Sequence, residues 1–148
     1  MNRPEITDDL MYKLLKTFPF FMRKVFHRFH KQENTGHLTK TQHKAMLLLF
    51  FEEEKYMSSL SERLNMEKGS FTAVVEDLVE KNLVVRNQDA QDRRKYNLAL
   101  TKKGQGFVDR EIKKSKAFLD KKMAHLDKND IKRFARAVNE LYEITMKL

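Results

Sequence analysis

The apolar residues change their spacing between positions 68 and 101, and that change limits the folds open to the chain. Phe71, Val74, Val75, Leu78 and Val79 fall at i, i+3, i+4, i+7 and i+8, one face of a helix. Further on, Tyr96, Leu98 and Leu100 alternate with Asn97 and Ala99 at period two, as in a half-buried strand. Val84–Asn87 and Lys95–Thr101 therefore read as the arms of a β-hairpin with a polar, charged tip. Four Gly and two Pro in 148 residues are too few for a turn-rich β fold. The hairpin is thus expected to be a small sheet in a mainly α protein.

Helical spacing returns on both sides. Leu10, Leu14, Phe18, Met22, Val25 and Phe29 predict one buried stripe on a helix over about residues 7–32. Pro19 removes the backbone bond to the Leu15 carbonyl, but the stripe keeps its phase, which favours one kinked helix over two. Thr39 and Gln42 fit a capping box ahead of the apolar run Ala45–Phe51. Ser58 or Ser59 is expected to cap a short helix that carries Leu60 and Leu64 and ends near Asn65. Thr101 opens a long helix through about Ala124. Leu126, Asp127 and Ile131 then form the staple and cap of a last helix, with Ile131, Phe134, Val138, Leu141 and Tyr142 as its stripe.

The net charge of +9 invites a polyanionic partner. Residues 1–37 carry 7 basic and 4 acidic side chains (+3), residues 38–101 carry 10 and 10 (0), and residues 102–148 carry 13 and 7 (+6). In the neutral middle, distribution matters more than the total: Glu52, Glu53 and Glu54 form an acidic run, while Arg86, Arg93, Arg94 and Lys95 gather at the hairpin. With no cysteine, disulfides, thiolate zinc sites and Cys nucleophiles are excluded from this chain. Ala45–Phe51 is far shorter than the roughly 18–20 residues of a membrane span, and residues 1–9 hold no apolar signal core. The chain is therefore expected to be cytoplasmic, with no membrane partner. It has no Gly-rich phosphate loop and no motif that places Ser, His and Asp together, so no enzymatic activity and no cofactor are expected.

Two short helices, a turn, a helix with a small polar outer face and an arginine-tipped hairpin follow one another in the order of a winged helix-turn-helix. A helix entering the major groove needs side chains short enough to approach base edges, as Gly69, Ser70, Thr72 and Ala73 are. The hairpin tip can reach Arg93 or Arg94 into the adjacent minor groove, where negative potential is concentrated. Lys68, Arg86 and Lys95 are placed to meet phosphates.

At these residues the sequence resembles the MarR family of bacterial transcriptional regulators. Leu38-Thr39-Lys40-Thr41-Gln42 is similar to that family's LTxxQ helix start. Leu60-Ser61-Glu62-Arg63-Leu64 resembles its first helix-turn-helix element, and Lys68-Gly69-Ser70-Phe71-Thr72 the opening of its recognition helix. Asp92-Arg93-Arg94 fits the DxR of the family's wing, followed by Leu98-Ala99-Leu100-Thr101 for LxLT and by Gly104 where a similar TxxG is usual. The resemblance implies that Arg94 is the minor-groove residue and Asp92 its structural anchor. It further implies a single MarR-like domain over 1–148, with dimerisation helices at 1–37 and 102–148 around a DNA-binding lobe at 38–101. A homodimer on double-stranded DNA is implied, as is repression released by a small molecule bound in the cleft between those helices and the lobe. The chain departs from the pattern at Glu67, where a capping Ser or Asp is usual, and at Asn82, where Gly is common. It departs again at Glu76 and Asp77, whose charge opposes phosphate unless a carboxylate accepts from a cytosine N4.

Other features have plainer readings. His27, His30, His37 and His43 lie near one another in sequence, but only Glu33 is a nearby carboxylate and no four-ligand set is complete, so they read as surface or cleft imidazoles. Phe18, Phe20, Phe21, Phe26, Phe29, Phe50 and Phe51 read as packed core rather than an aromatic effector pocket. Lys113, Lys114, Lys116, Lys121 and Lys122 read as the solvated side of helices. The rival to DNA binding is a non-catalytic winged-helix module that docks another protein through its recognition face, a reading that Glu76 and Asp77 favour.

Overall fold

The computed structural model of the chain describes residues 6–32, 38–52 and 55–148, with side chains for all of these except 24–32. Glu33, His37, Glu53, Glu54 and the side chains of Val25, Phe26, His27, Phe29 and His30 lie outside the described residues. The elements are α1 (Asp8–Gln32), α2 (Lys40–Phe51), α3 (Met57–Arg63), α4 (Lys68–Glu80), β1 (Val84–Gln88), β2 (Tyr96–Leu100), α5 (Lys102–Met123) and α6 (Lys128–Thr145). Backbone contacts divide the chain into two compact units, residues 33–114 and residues 1–32 with 115–148. The division falls inside α5, beyond the expected boundary at 101/102, because the first turns of α5 bury Gly104, Val108 and Glu111.

The 33–114 unit is built around α4. Phe71, Val75 and Leu78 are fully buried against Met46 and Leu49 of α2, Leu60 of α3 and Leu98 of β2. At about 1.5–3 kcal/mol for each large apolar side chain removed from water, this cluster is what holds the short helices. Val79, expected on the same stripe, is exposed, because the buried arc of α4 is narrower than its apolar sequence. The capping box of α2 is present in full: Thr39 Oγ1 accepts from the Gln42 amide, and Gln42 Oε1 accepts from the Thr39 amide. The buried Gln42 side chain also donates from Nε2 to Asp77 Oδ2 at 2.8 Å, which ties the start of α2 to α4. The helix α3 corrects the sequence reading, since it opens at Met57 with Tyr56 as its N-cap. Neither Ser58 nor Ser59 caps it; Ser59 Oγ donates to the Tyr56 carbonyl and Ser61 Oγ to that of Ser58. Asn65 and Asn82 end α3 and α4 with positive φ of 52° and 56°, a conformation that asparagine tolerates.

The hairpin pairs antiparallel, with Val84 opposite Leu100, Arg86 opposite Leu98 and Gln88 opposite Tyr96. Only Val84 and Leu98 of its ten strand residues are buried, so the hairpin projects from the lobe. Thr101 caps α5 as expected, its hydroxyl accepting from the Gly104 amide and donating to the Asn82 carbonyl.

In the other unit α1 runs unbroken through Pro19, and Asp127 caps α6 by accepting from the Asp130 amide. The apolar stripes of both helices are present but are not buried within one chain. Leu10, Leu14 and Phe18 are 53, 55 and 60 % exposed, and Leu141 and Tyr142 of α6 are 54 and 65 % exposed. The expectation of a buried stripe in α1, and of Phe18 and Phe20 as core, is corrected accordingly; Phe51 of the lobe is exposed too. Phe21 packs on Phe134 at 5.6 Å between ring centroids. An apolar groove of about 560 Å³ between the end of α5 and α6 is lined by Leu119, Met123, Ile131, Phe134 and Val138.

Candidate nucleic-acid interface

The outer face of α4 and the hairpin bound one cationic cleft. Lys68, Gly69, Ser70 and Ala73 are exposed on the first turns of α4, with Thr72 half-buried beside them. The Thr72 hydroxyl donates to the Lys68 carbonyl at 2.8 Å. Its hydrogen is thereby committed within the helix, so toward a base edge Thr72 offers lone pairs. Lys68 and Thr72, together with Tyr56, Met57 and Ser58 at the start of α3 and Arg86, Arg94, Lys95 and Tyr96 of the hairpin, line a cleft of about 350 Å³. Arg93, expected beside Arg94, is exposed and does not line this cleft.

Two cations in this cleft rest on aromatic rings. The Arg86 guanidinium sits 3.8 Å from the Tyr96 ring centroid, and Lys95 Nζ lies 5.8 Å from that of Tyr56. A ring beneath a guanidinium limits its rotamers while leaving its N–H edges to solvent. The hairpin tip is organised by two aspartates. Asp89 Oδ1 accepts from the amides of Gln91 and Asp92, and Oδ2 accepts from the Tyr56 hydroxyl at 2.9 Å. Asp92 Oδ1 in turn accepts from the Arg94 amide at 3.1 Å. Hydrogen bonds from Asp92, then Gln91, then Tyr56 hold the Asp89 carboxyl below its ordinary value of 3.8, with Lys95 adding to them and burial opposing.

Glu76 and Asp77 of α4 differ in their hydrogen bonding. Both are exposed, and Asp77 accepts from Gln42 Nε2. Glu67 caps α4 through its backbone alone, with no side-chain hydrogen bond.

Sequence reasoning missed three pairings: Gln42 with Asp77, Tyr56 with Asp89, and His43 with Glu111. His43, read as a surface or cleft imidazole, is buried, its Nε2 3.4 Å from Glu111 Oε2 and its ring edge-on to Phe107; Glu111 Oε1 accepts from Lys114. A signal for this pair existed. Glu111 follows Gly104 and Val108 at i+7 and i+3, so a carboxylate falls on the buried stripe of α5. Among the described residues no cluster of three His, Asp or Glu could hold a metal, and no described helix is long and apolar enough to cross a membrane.

The segment that builds this cleft, residues 38–96, matches the model of the MarR family. The HTH-type transcriptional regulator SarZ of Staphylococcus epidermidis is 30% identical over 67 residues, a match that spans 45% of this chain and 45% of that protein. The chain thus covers less than half the length of this curated relative. Similarity in structure extends further. A MarR family protein from Bacillus stearothermophilus has a TM-score of 0.75 at 18% identity, over 96% of this chain and 99% of that one. A transcriptional regulator from Thermotoga maritima has a TM-score of 0.67 at 24% identity, over 95% and 96%. The winged helix fold of the MarR structures, terminal helices included, is therefore the fold of this chain.

Gly69 bears on how this lobe is used. A Cβ built there meets nothing within 4 Å, so packing within the chain does not demand glycine. Glycine inside a helix is destabilising relative to alanine, and the open space at Gly69 leaves room for close approach of something outside the chain. Gly69→Ala is expected to raise stability by about 0.5 kcal/mol while weakening duplex binding about tenfold, within the range for a lost groove contact. Thermal melting and a binding titration on the same preparation check both signs.

Proposed function

We propose that the protein is a sequence-specific transcriptional regulator that binds double-stranded DNA as a homodimer. The observation that carries this reading is the convergence of Lys68, Arg86, Arg94 and Lys95 on one cleft beside the short-side-chain face of α4. In this reading Gly69, Ser70, Thr72 and Ala73 face base edges, Arg94 enters the minor groove with Arg93 beside it, and Lys68, Arg86 and Lys95 meet phosphates. Asp92, by accepting from the Arg94 amide, anchors the wing.

The exposed apolar stripes of α1 and α6 support the homodimer, since a protein rarely leaves such faces to water without a partner. A twofold dimer would set its two α4 helices in successive major grooves, about 34 Å apart, on a pseudo-palindromic site. Repression, and its release by a small molecule, belong to the same reading and are supported by the family resemblance alone; a non-catalytic role and a cytoplasmic location remain the expectations drawn from the sequence. The protein-docking alternative loses one of its two acidic groups, because Asp77 is turned to Gln42.

Selection of bound fragments from random duplexes tests the proposal. Recovery of an inverted repeat is expected; fragments without a shared sequence, or none at all, would count against sequence-specific binding.

A further inference from the structure

A two-stranded hairpin with five-residue strands is marginal by itself in water, and here its distal half has no buried side chain. Something must hold it if Arg94 is to arrive at a defined place. The contacts at the start of α3 do so. The Lys55 carbonyl accepts from the Leu98 amide at 2.9 Å, and Tyr56 forms a β-bridge with Asn97, so the chain just before α3 lies along the middle of β2. From there the Tyr56 hydroxyl crosses to Asp89, the residue after β1, whose other oxygen shapes the tip through the amides of Gln91 and Asp92. Asp92 passes the constraint to the Arg94 amide. One carboxylate therefore both folds the tip and fastens it to the helix-turn-helix.

We propose that Tyr56 and Asp89 are positioning residues for duplex recognition, latching the wing to the start of α3 so that Arg94 is presented in a fixed place. The inference rests on the DNA-binding reading above and assigns roles to two residues that neither the wing motif nor groove chemistry singles out. The carboxylate's charge strengthens the latch, as a hydrogen bond to an ionised acceptor is stronger than one between neutral groups. Tyr56→Phe removes the hydroxyl alone and keeps the ring beneath Lys95, so the lobe is expected to fold and melt as before.

The test measures binding to a selected duplex for the unaltered protein, Tyr56→Phe, Arg94→Ala and the double variant. Tyr56→Phe is expected to weaken binding about tenfold, the scale of one hydrogen bond to a charged group, and to have little further effect once Arg94 is alanine. Such non-additivity, a coupling between the two positions, would show that the latch acts through the wing arginine; a merely structural role would cost the same on both backgrounds. In the free protein, the Gln91 and Asp92 amides should exchange faster with solvent in Tyr56→Phe. Unaltered binding by Tyr56→Phe, equal losses on both backgrounds, or unchanged exchange at those amides would each overturn the latch. Failure of the unaltered protein to bind any duplex would instead overturn the DNA-binding reading, and the exchange comparison would still decide the latch.

Discussion

Arg94→Ala is expected to lower affinity for the selected duplex by about 1–3 kcal/mol, the value of one good groove contact, while leaving the oligomeric state unchanged. Arg94 lies in the cleft with Lys68 and Arg86 but forms no ion pair among the described residues, so its guanidinium is not committed inside the lobe. Its backbone, by contrast, is fixed through Asp92 and hence Asp89. A held backbone with an uncommitted head is suited to a narrow groove, where little order remains to be imposed on binding. The loss should be concentrated in the specific complex. If Lys68 and Lys95 meet phosphates as proposed, their removal should weaken binding to all duplexes alike. Titration with the selected site and with a scrambled duplex separates the two behaviours.

The second large effect is on the fold. Gly104→Ala is expected to destabilise the 33–114 unit by about 3 kcal/mol or more, at the upper end of what overpacking costs. A Cβ at Gly104 would stand 2.0 Å from the Leu83 carbonyl oxygen, 3.0 Å from its carbon and 3.3 Å from Met46 Cε. The Met46 side chain could move, but the Leu83 carbonyl is held by the Thr101 amide at 3.0 Å. The start of α5 would therefore have to lift off the core. Against a typical total of about 5–15 kcal/mol, that is a large share, and chemical denaturation should show it as a lower midpoint. The contrast with Gly69 is instructive: one glycine is demanded by the chain's own backbone, and the other has open space around it.

Where a motif's chemistry is local, the sequence already showed it. The capping box at Thr39 and Gln42, the asparagine at the end of α4 and the caps at Thr101 and Asp127 all depend on residues a few positions apart, the hairpin on residues no more than sixteen apart, and all are present. Three pairings at the cleft and core that escaped detection join residues more than thirty positions apart: Gln42 with Asp77, Tyr56 with Asp89, His43 with Glu111. Nothing in the spacing of such residues shows that folding brings them together. The start of α3 was misplaced for a related reason. Serine favours N-caps, but pairing of Lys55 and Tyr56 with β2 sets where the chain leaves the sheet, and that tertiary constraint overrides the local preference. Spacing also identified the stripes of α1 and α6 correctly as apolar. It could not say whether the covering surface comes from the same chain, and within one chain most of each stripe stays in contact with solvent.

The salt dependence of duplex binding tests the central claim most directly. If Lys68, Arg86, Arg94 and Lys95 of both copies in a dimer each displace a counterion, log K should fall against log salt with a slope of about −7. A steep slope near that value, made shallower by removing Lys68 or Lys95, is the predicted result. Affinity that hardly changes with salt would contradict the account, because a face built from these four cations cannot hold DNA without releasing the ions around it.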